Sequence, residues 1–217
     1  MAEQQSAEGV LAEVIPGILA WSGEHPNIGK TVHSHYLVDE RIAIDPIAVP
    51  GLVPALERVG GVAQVLLTNR HHLRGSEEIV AAFGTPVRCP RTGLHEFDGR
   101  DRPQVGGYEW GEELARGVTA HEVGSLSPDE GALQIAVGPG ALAFADTIIA
   151  DASGLGFVPD FLMDDPETTK AGIVAAVRGL LDLDFDVLLM AHGAPVASGG
   201  KRALASFLDS PRTASID

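Results

Sequence analysis

The sequence is poor in cysteine, in positive charge and in long hydrophobic runs. Its only cysteine is Cys89, which excludes an internal disulfide and every zinc or iron–sulfur motif that needs several thiolates. Any metal ion would therefore have to be held by histidine and carboxylate side chains. Cys89 stands in Pro86-Val87-Arg88-Cys89-Pro90, a run typical of a short strand, and we predict that it packs as a small hydrophobic side chain.

Basic residues are outnumbered, with 15 lysines and arginines against 30 aspartates and glutamates and a formal net charge of −15. Such a charge repels phosphate backbones and anionic lipid surfaces. No apolar run approaches the roughly 20 residues of a membrane span, and no basic segment followed by a long apolar one opens the sequence. We expect a soluble, cytoplasmic protein whose partner is a small-molecule substrate or ligand, with no nucleic acid and no membrane; a homodimer is compatible with the sequence.

What is present is enough apolar sequence for a substantial core: 45% of the 217 residues are hydrophobic. We predict a flexible N-terminus over residues 1–9 and a single domain over residues 10–217. Short β-type runs separated by turns are followed by helical patterns, and the same order recurs in the second half of the chain. This order predicts two similar halves, each with helices covering one outer face of its strands. Residues 91–116 mix polarities and glycine-rich turns, and we expect irregular structure there.

Several apolar runs of strand length end in side chains that can carry chemistry: the cluster Asn69–Arg74, then Asp146 and His192. The carboxyl ends of strands are where α/β proteins place their sites. A carboxylate in apolar surroundings, such as Asp146, costs free energy unless it is paired, hydrogen-bonded or bound to metal, although a carboxylate that caps a turn fits the same pattern. Taken singly, His192 and His121 are equally compatible with ordinary strand histidines. Together with Asp146 they offer the nitrogen and oxygen ligands that zinc accepts.

These positions resemble the metallo-β-lactamase superfamily, over about residues 10–208. The family motif Thr-His-x-His-x-Asp-His corresponds to Thr68-Asn69-Arg70-His71-His72-Leu73-Arg74. Thr68 and His71 match, whereas the first histidine, the aspartate and the last histidine of the motif are replaced. The resemblance implies an α/β (α+β) fold, a four-layer αββα sandwich of two mixed β-sheets covered by helices.

The resemblance also implies a ligand set. His121 corresponds to the lone downstream histidine of the family, Asp146 to the bridging carboxylate and His192 to the last histidine. One metal would then be held by four residues, His71, His121, Asp146 and His192. Two residues beside them, Asn69 and His72, are weaker candidates. The second metal site of the family lacks two of its four protein ligands in this sequence, so we expect one zinc ion or none.

Arg74 stands where the family has a ligand of the second metal. A guanidinium there could pair with Asp146 as a planar fork and supply the missing positive charge. One hypothesis is a hydrolase of a small ester, thioester or amide with Asp146, His192 and Arg74 as catalytic residues. The alternative is a metal-free pseudo-enzyme of the same fold that binds a small molecule or a protein partner, and this hypothesis predicts a contact between Arg74 and Asp146.

Overall fold

The structure is a computed structural model that describes residues 9–99 and 103–210. The predicted flexible N-terminus lies outside the described residues except for Gly9. The first half of the described chain forms a seven-stranded sheet in which each strand pairs with the next along the sequence. Its strands are β1 (Ala12–Ile15), β2 (Ile18–Glu24), β3 (Thr31–Leu37), β4 (Ile42–Ile44), β5 (Gln64–Leu66), β6 (Val87–Pro90) and β7 (Val105–Tyr108).

This sheet is mixed because its connections change length along the chain. Short turns join β1 to β4, which pair antiparallel. Helix α1 (Leu52–Arg58) carries the chain from β4 to β5 and helix α2 (Ser76–Phe83) carries it from β5 to β6, while the connection from β6 to β7 contains a 3-10 helix over Arg91–Phe97. The strands β4 to β7 therefore pair parallel, since parallel neighbours need long crossover connections.

The second half forms a five-stranded sheet with the spatial order β14-β11-β10-β9-β8. Its strands are β8 (Glu113–Ala115), β9 (Val118–Glu122), β10 (Gly131–Ile135), β11 (Ala141–Phe144) and β14 (Val187–Met190). Helix α3 (Pro166–Leu180) connects β11 to its parallel neighbour β14, and α4 (Gly200–Leu208) closes the described chain. Between β11 and α3 lies a small hairpin of β12 (Ile149–Asp151) and β13 (Gly154–Gly156).

Three buried clusters show how the layers stack. One, which includes Leu37 and Leu189, joins the two sheets. A second packs α1 and α2 on the seven-stranded sheet, and a third packs α3 and α4 on the five-stranded sheet. Strand β14 alternates between clusters, with Leu189 facing the other sheet and Leu188 and Met190 facing the helices. The four-layer αββα sandwich is therefore confirmed, and the layers explain why β14 is apolar at every position.

The expectation of irregular structure over residues 91–116 is wrong. That region contains a 3-10 helix over Arg91–Phe97 and the strands β7 and β8. Two of the four residues of β7 are glycines, which carry little strand propensity, and this hides the strand from the sequence pattern. Cys89 is fully buried beneath the helices of the first half, which confirms its packing role, and burial raises the pKa of its thiol.

Across residues 9–99 and 103–210, no helix has the length and apolar character needed to cross a membrane.

Two glycines of α3 offer a test of how tightly this helix is seated. A methyl group at Gly172 would lie 2.3 Å from Ser125 Oγ, whereas one at Gly179 would meet nothing within 4 Å. Gly179 is the next-to-last residue of α3, so we expect Gly179→Ala to raise the free energy of unfolding by at most about 0.5–1 kcal/mol, the gain known for a helix interior. Gly172→Ala should instead lower it by about 1–3 kcal/mol through overpacking. Urea denaturation of the two variants measures the difference, and equal effects would contradict the packing described.

Candidate metal centre

The candidate site lies where strands of both sheets end. His72 belongs to a 3-10 turn over Arg70–Leu73 that follows β5 of the seven-stranded sheet. Asp146 and His192 follow β11 and β14 of the five-stranded sheet. The side chain of Asn69 caps the 3-10 turn by accepting the backbone N–H of His71 at 2.9 Å, as asparagine does at helix N-termini. After His192 the chain bends at Gly193, where φ is 121° and a Cβ would lie 2.3 Å from the carbonyl oxygen of Ala150.

Three side chains converge at one point, because the imidazoles of His72 and His192 both approach the same carboxylate oxygen of Asp146. His72 Nε2 lies 3.1 Å and His192 Nε2 lies 3.0 Å from Asp146 Oδ1. Each of the three residues offers one ligand atom, and these atoms all lie within 4.8 Å of one another. Two imidazoles and a carboxylate form a donor set that suits zinc and other divalent metals. His192 and Asp146 keep about a quarter and a fifth of their side-chain surface exposed, so the group is open to solvent on one side.

A second carboxylate orients the His72 ring from behind. Asp45 Oδ2 lies 3.0 Å from His72 Nδ1, and both side chains are almost fully buried. Thr68 holds this carboxylate in place, since its backbone N–H donates to Asp45 Oδ1 at 2.8 Å and its hydroxyl donates to Oδ2. A carboxylate on one ring nitrogen directs the other nitrogen toward the metal position in many metal sites. The arrangement of Asp45 and His72 has this form.

The charges of these side chains shift one another's pKa. Burial and nearby Arg74 lower the pKa of His72, but Asp45 and Asp146 outweigh them and raise the pKa to about 9. Burial would raise the pKa of Asp146, yet His72 and His192 hold it well below the ordinary value. Without a metal ion, His72 is therefore a buried imidazolium between two carboxylates.

Asn69 and Glu130 fix the other side of Asp146. The Asn69 amide nitrogen donates to Asp146 Oδ2 at 2.9 Å and to Glu130 Oε1 at 2.7 Å. Glu130 Oε2 accepts the backbone N–H of Asp146 at 3.0 Å. Burial, reinforced by the charge of Asp146, raises the pKa of Glu130 to about 8, so this carboxyl is mainly neutral at pH 7. The sequence predicts Asn69 as a weaker ligand, but its oxygen is occupied by His71 N–H and its N–H groups orient Asp146 instead.

The structure brings together only part of the predicted ligand set. Asp146 and His192 meet, and they are joined by His72, one of the two weaker candidates. His71 lines the cavity above the group but is not among the clustered donors. His121 lies apart on β9, where its Nε2 is 3.3 Å from Gln134 Oε1. Its side chain contacts the neighbouring strand β10 and is not among the clustered donors, so the expectation that it joins the centre is not met.

The expected pair between Arg74 and Asp146 does not form. Within the described chain, Arg74 makes no ion pair within 4.0 Å; its Nη1 lies 3.5 Å from the backbone oxygen of Asp45, and its Nε is buried without a hydrogen-bond partner. Both oxygens of Asp146 are already engaged by His72, His192 and Asn69. The cation that pairs with Asp146 is therefore His72, and not Arg74 as predicted.

Sequence reasoning misses two residues of the site. Asp45 follows a short apolar strand in Ala43-Ile44-Asp45-Pro46, which is the same strand-end signal that draws attention to Asp146. Glu130 stands in Ser127-Pro128-Asp129-Glu130-Gly131, where the composition indicates only a turn. No sequence signal distinguishes this buried carboxyl from an exposed one.

The clustered donors line a cavity of about 710 Å³. Residues of the first half supply most of its wall, including the His25–Ile28 loop and the 3-10 turn over Arg70–Leu73. Ile28 is 52% exposed. A cavity of this size with convergent polar groups is the usual form of a small-molecule site.

Comparison with known proteins agrees with this architecture. Residues 14–210 match the family model of the metallo-β-lactamase superfamily. The chain therefore belongs to the metallo-β-lactamase superfamily and has the fold of this hydrolase-like family. No curated protein sequence matches it significantly.

Solved structures share the fold at low sequence identity. A metallo-β-lactamase from Pontibacter korlensis has a TM-score of 0.67 and 13% identity, with 92% of this chain and 98% of that chain covered. A B3 metallo-β-lactamase with an active-site glutamic acid has a TM-score of 0.61 and 17% identity, with 99% and 94% covered. The metal-soaked Flv1 flavodiiron core from Synechocystis sp. PCC6803 has a TM-score of 0.64 and 13% identity; 91% of this chain is covered, and it spans 59% of the length of that core.

The pKa of His72 makes the stability of the metal-stripped protein depend on pH. An ordinary histidine has a pKa of 6.5, so between pH 6.5 and about 9 the folded protein holds a proton that the unfolded chain has lost. The contribution of His72 to the free energy of unfolding should be fully present below pH 6.5, and it should be lost as the pH rises through this window. Glu130 acts in the same direction between pH 4.5 and about 8.

The two contributions can be separated by denaturation at pH 8 and pH 9. Most of the decline between these values should disappear in His72→Gln and persist in Glu130→Gln. An unchanged decline in His72→Gln would show that the imidazolium is not held between the two carboxylates.

Proposed function

We propose that the protein is a hydrolase of a small ester, thioester or amide that works with a single metal ion held by His72, Asp146 and His192. The observation that carries the proposal is the convergence of these three donors from three strand ends, with the Asp45 carboxylate directly behind His72. Membership of the superfamily supports the reaction class. The ligand set differs from the one expected from sequence, since His72 replaces His71 and His121.

The donor set is suited to a metal ion for two reasons. Neutral imidazole and carboxylate are ligands of zinc, and the pair of Asp45 and His72 supplies the orienting contact that metal-bound histidines commonly have. Three protein ligands also leave coordination positions for water and substrate. When bound, such an ion would lower the pKa of a coordinated water to about 7 and polarise a substrate carbonyl.

The residues of the chain have distinct roles in this proposal. Asp45 fixes the ring of His72, and Asn69 fixes the carboxylate of Asp146. Burial and the charge of nearby Arg70 lower the pKa of His71, which leaves this cavity-lining imidazole neutral at pH 7 and able to accept a proton from water. Arg74 brings a permanent positive charge to the cavity, where it can stabilise negative charge on the substrate.

A metal-free ligand-binding protein is the second candidate, and one observation favours it. With His72 protonated, its two ring nitrogens already satisfy Asp45 and Asp146. The cluster is then paired without any metal ion, and it can bind a small molecule or a protein partner through the cavity alone. This candidate differs from the first in a measurable property, the metal content.

Metal analysis distinguishes the two. Protein purified without added metal and then incubated with zinc should retain about one ion per chain after dialysis, and His72→Ala and His192→Ala should each lose it. His121→Ala is the matched control and should retain the ion, because His121 on β9 contacts Gln134 on β10 and not the cluster. Loss of a ligand or of its orienting partner typically weakens metal binding 10–100-fold or more.

Hydrolysis of 4-nitrophenyl acetate, followed at 405 nm, should rise with zinc and fall on addition of a chelator. A protein that binds no metal and remains folded would favour the metal-free candidate. Equal metal loss in His121→Ala and His72→Ala would contradict a centre built on His72, Asp146 and His192.

A further inference from the structure

Arg74 is a partly buried cation that forms no ion pair with any carboxylate of the described residues. A guanidinium has five N–H donors, yet in the described chain Arg74 makes a single hydrogen bond, at 3.5 Å, to the backbone oxygen of Asp45. Its Nε is buried and has no partner. Burial of a charged group without hydrogen bonds is unfavourable, so a group held in this way is a candidate for pairing with a ligand.

The nearby carboxylates cannot take this role without giving up other contacts. Asp45 accepts hydrogen bonds from Thr68 and lies against His72. Asp146 lies against His72 and His192 and accepts from Asn69. The cavity wall also contains Glu24 and Glu77, which are exposed to solvent and form no ion pair with Arg74.

The backbone at Arg74 supplies an independent observation. Its φ is 36° and its ψ is −114°, a conformation that side chains other than glycine adopt at a cost of about 1–3 kcal/mol. Residue 74 ends the 3-10 turn that carries His72, a position where glycine is the common choice. The fold instead holds an arginine there, and this side chain lines the cavity. Such strain is concentrated at functional sites.

The charge that lines the cavity is mixed, since Arg74 shares the wall with the carboxylates of Glu24, Glu77, Glu96 and Asp146. Burial is the largest cause of the lowered pKa of His25, which also lines the cavity; the charges of Arg74, His72 and His192 lower this pKa further, and that of Asp146 raises it. An anionic ligand would therefore be held by Arg74 itself and not by an overall positive cavity. Arg70 also lines the cavity, but its guanidinium is already paired with Asp129.

We infer that the ligand of this cavity carries an oxyanion group, a carboxylate or a phosphate, that pairs with the guanidinium of Arg74. The inference rests on the proposed function for the view that the cavity is a substrate site, and it narrows the substrate to anionic esters, thioesters or amides. Arginine suits this role because its planar fork binds carboxylate and phosphate oxygens through two parallel hydrogen bonds.

The test uses the metal-stripped full chain, so that an anion cannot bind through a metal ion. Inorganic phosphate, benzoate and the neutral isostere benzamide are titrated separately in a calorimeter. Phosphate and benzoate should bind and benzamide should not. Arg74→Gln should weaken the binding of both anions by about ten-fold or more, the usual effect of losing a charge-assisted hydrogen bond.

Two further variants guard against a folding artefact. Arg74→Gly suits the backbone at φ 36°, so it should fold and still lose anion binding. Arg70→Gln removes a cavity cation that is already paired, and it should change anion affinity less than about two-fold; thermal melting checks that it is folded. Benzamide binding as tightly as benzoate, or unchanged anion binding in both Arg74 variants, would overturn the inference.

The outcome is separable from that of the proposed function. Anion binding that depends on Arg74 in a protein that takes up no zinc would leave the inference standing and remove the metal-dependent hydrolase. Zinc uptake and ester hydrolysis without Arg74-dependent anion binding would instead support the metal-dependent hydrolase and overturn the inference about the anion.

Discussion

The site depends on one buried interaction, the placement of the His72 imidazole between the carboxylates of Asp45 and Asp146. Both ring nitrogens are engaged at about hydrogen-bond distance, 3.0 and 3.1 Å. A buried carboxylate without a partner is costly, and the ring adds one partner to each acid beside Thr68 at Asp45 and beside His192 and Asn69 at Asp146. A proton or a metal ion can satisfy the Asp146 side of the ring, and the choice between them decides which chemistry the cavity can support.

The other polar residues serve this interaction. Thr68 holds Asp45, while Asn69 holds Asp146 and connects it to Glu130. Because Glu130 is mainly neutral at pH 7, it adds hydrogen bonds without adding another negative charge beside Asp146. Two of the replaced motif positions are therefore occupied by an amide and a partly buried arginine, beside a histidine that lies between two acids.

The fold and the strand ends are more predictable from the sequence than the contacts at those ends. Asp146 and His192 can be found because each interrupts an apolar strand. His71 and His72 are neighbours in sequence, however, and only the 3-10 turn decides which of them faces inward. His121 is the next-to-last residue of β9, and the sequence does not show whether its side chain reaches the centre or, as in this protein, Gln134 on the neighbouring strand. Asp146 contacts His72, His192 and Asn69 and forms no ion pair with Arg74, and no local sequence pattern encodes this choice of partners.

The central histidine and Asp45 come from the seven-stranded sheet, whereas Asp146 and His192 come from the five-stranded sheet. Any ion or proton that these residues share consequently stabilises the contact between the two halves of the molecule, at the edge where strands of both sheets end. Fragments cut between β7 and β8 would each retain the strands of one sheet with its helices but only part of the centre. Reassembly of such fragments would then be governed by the same ligand that the centre binds, which links association of the halves to occupancy of the site.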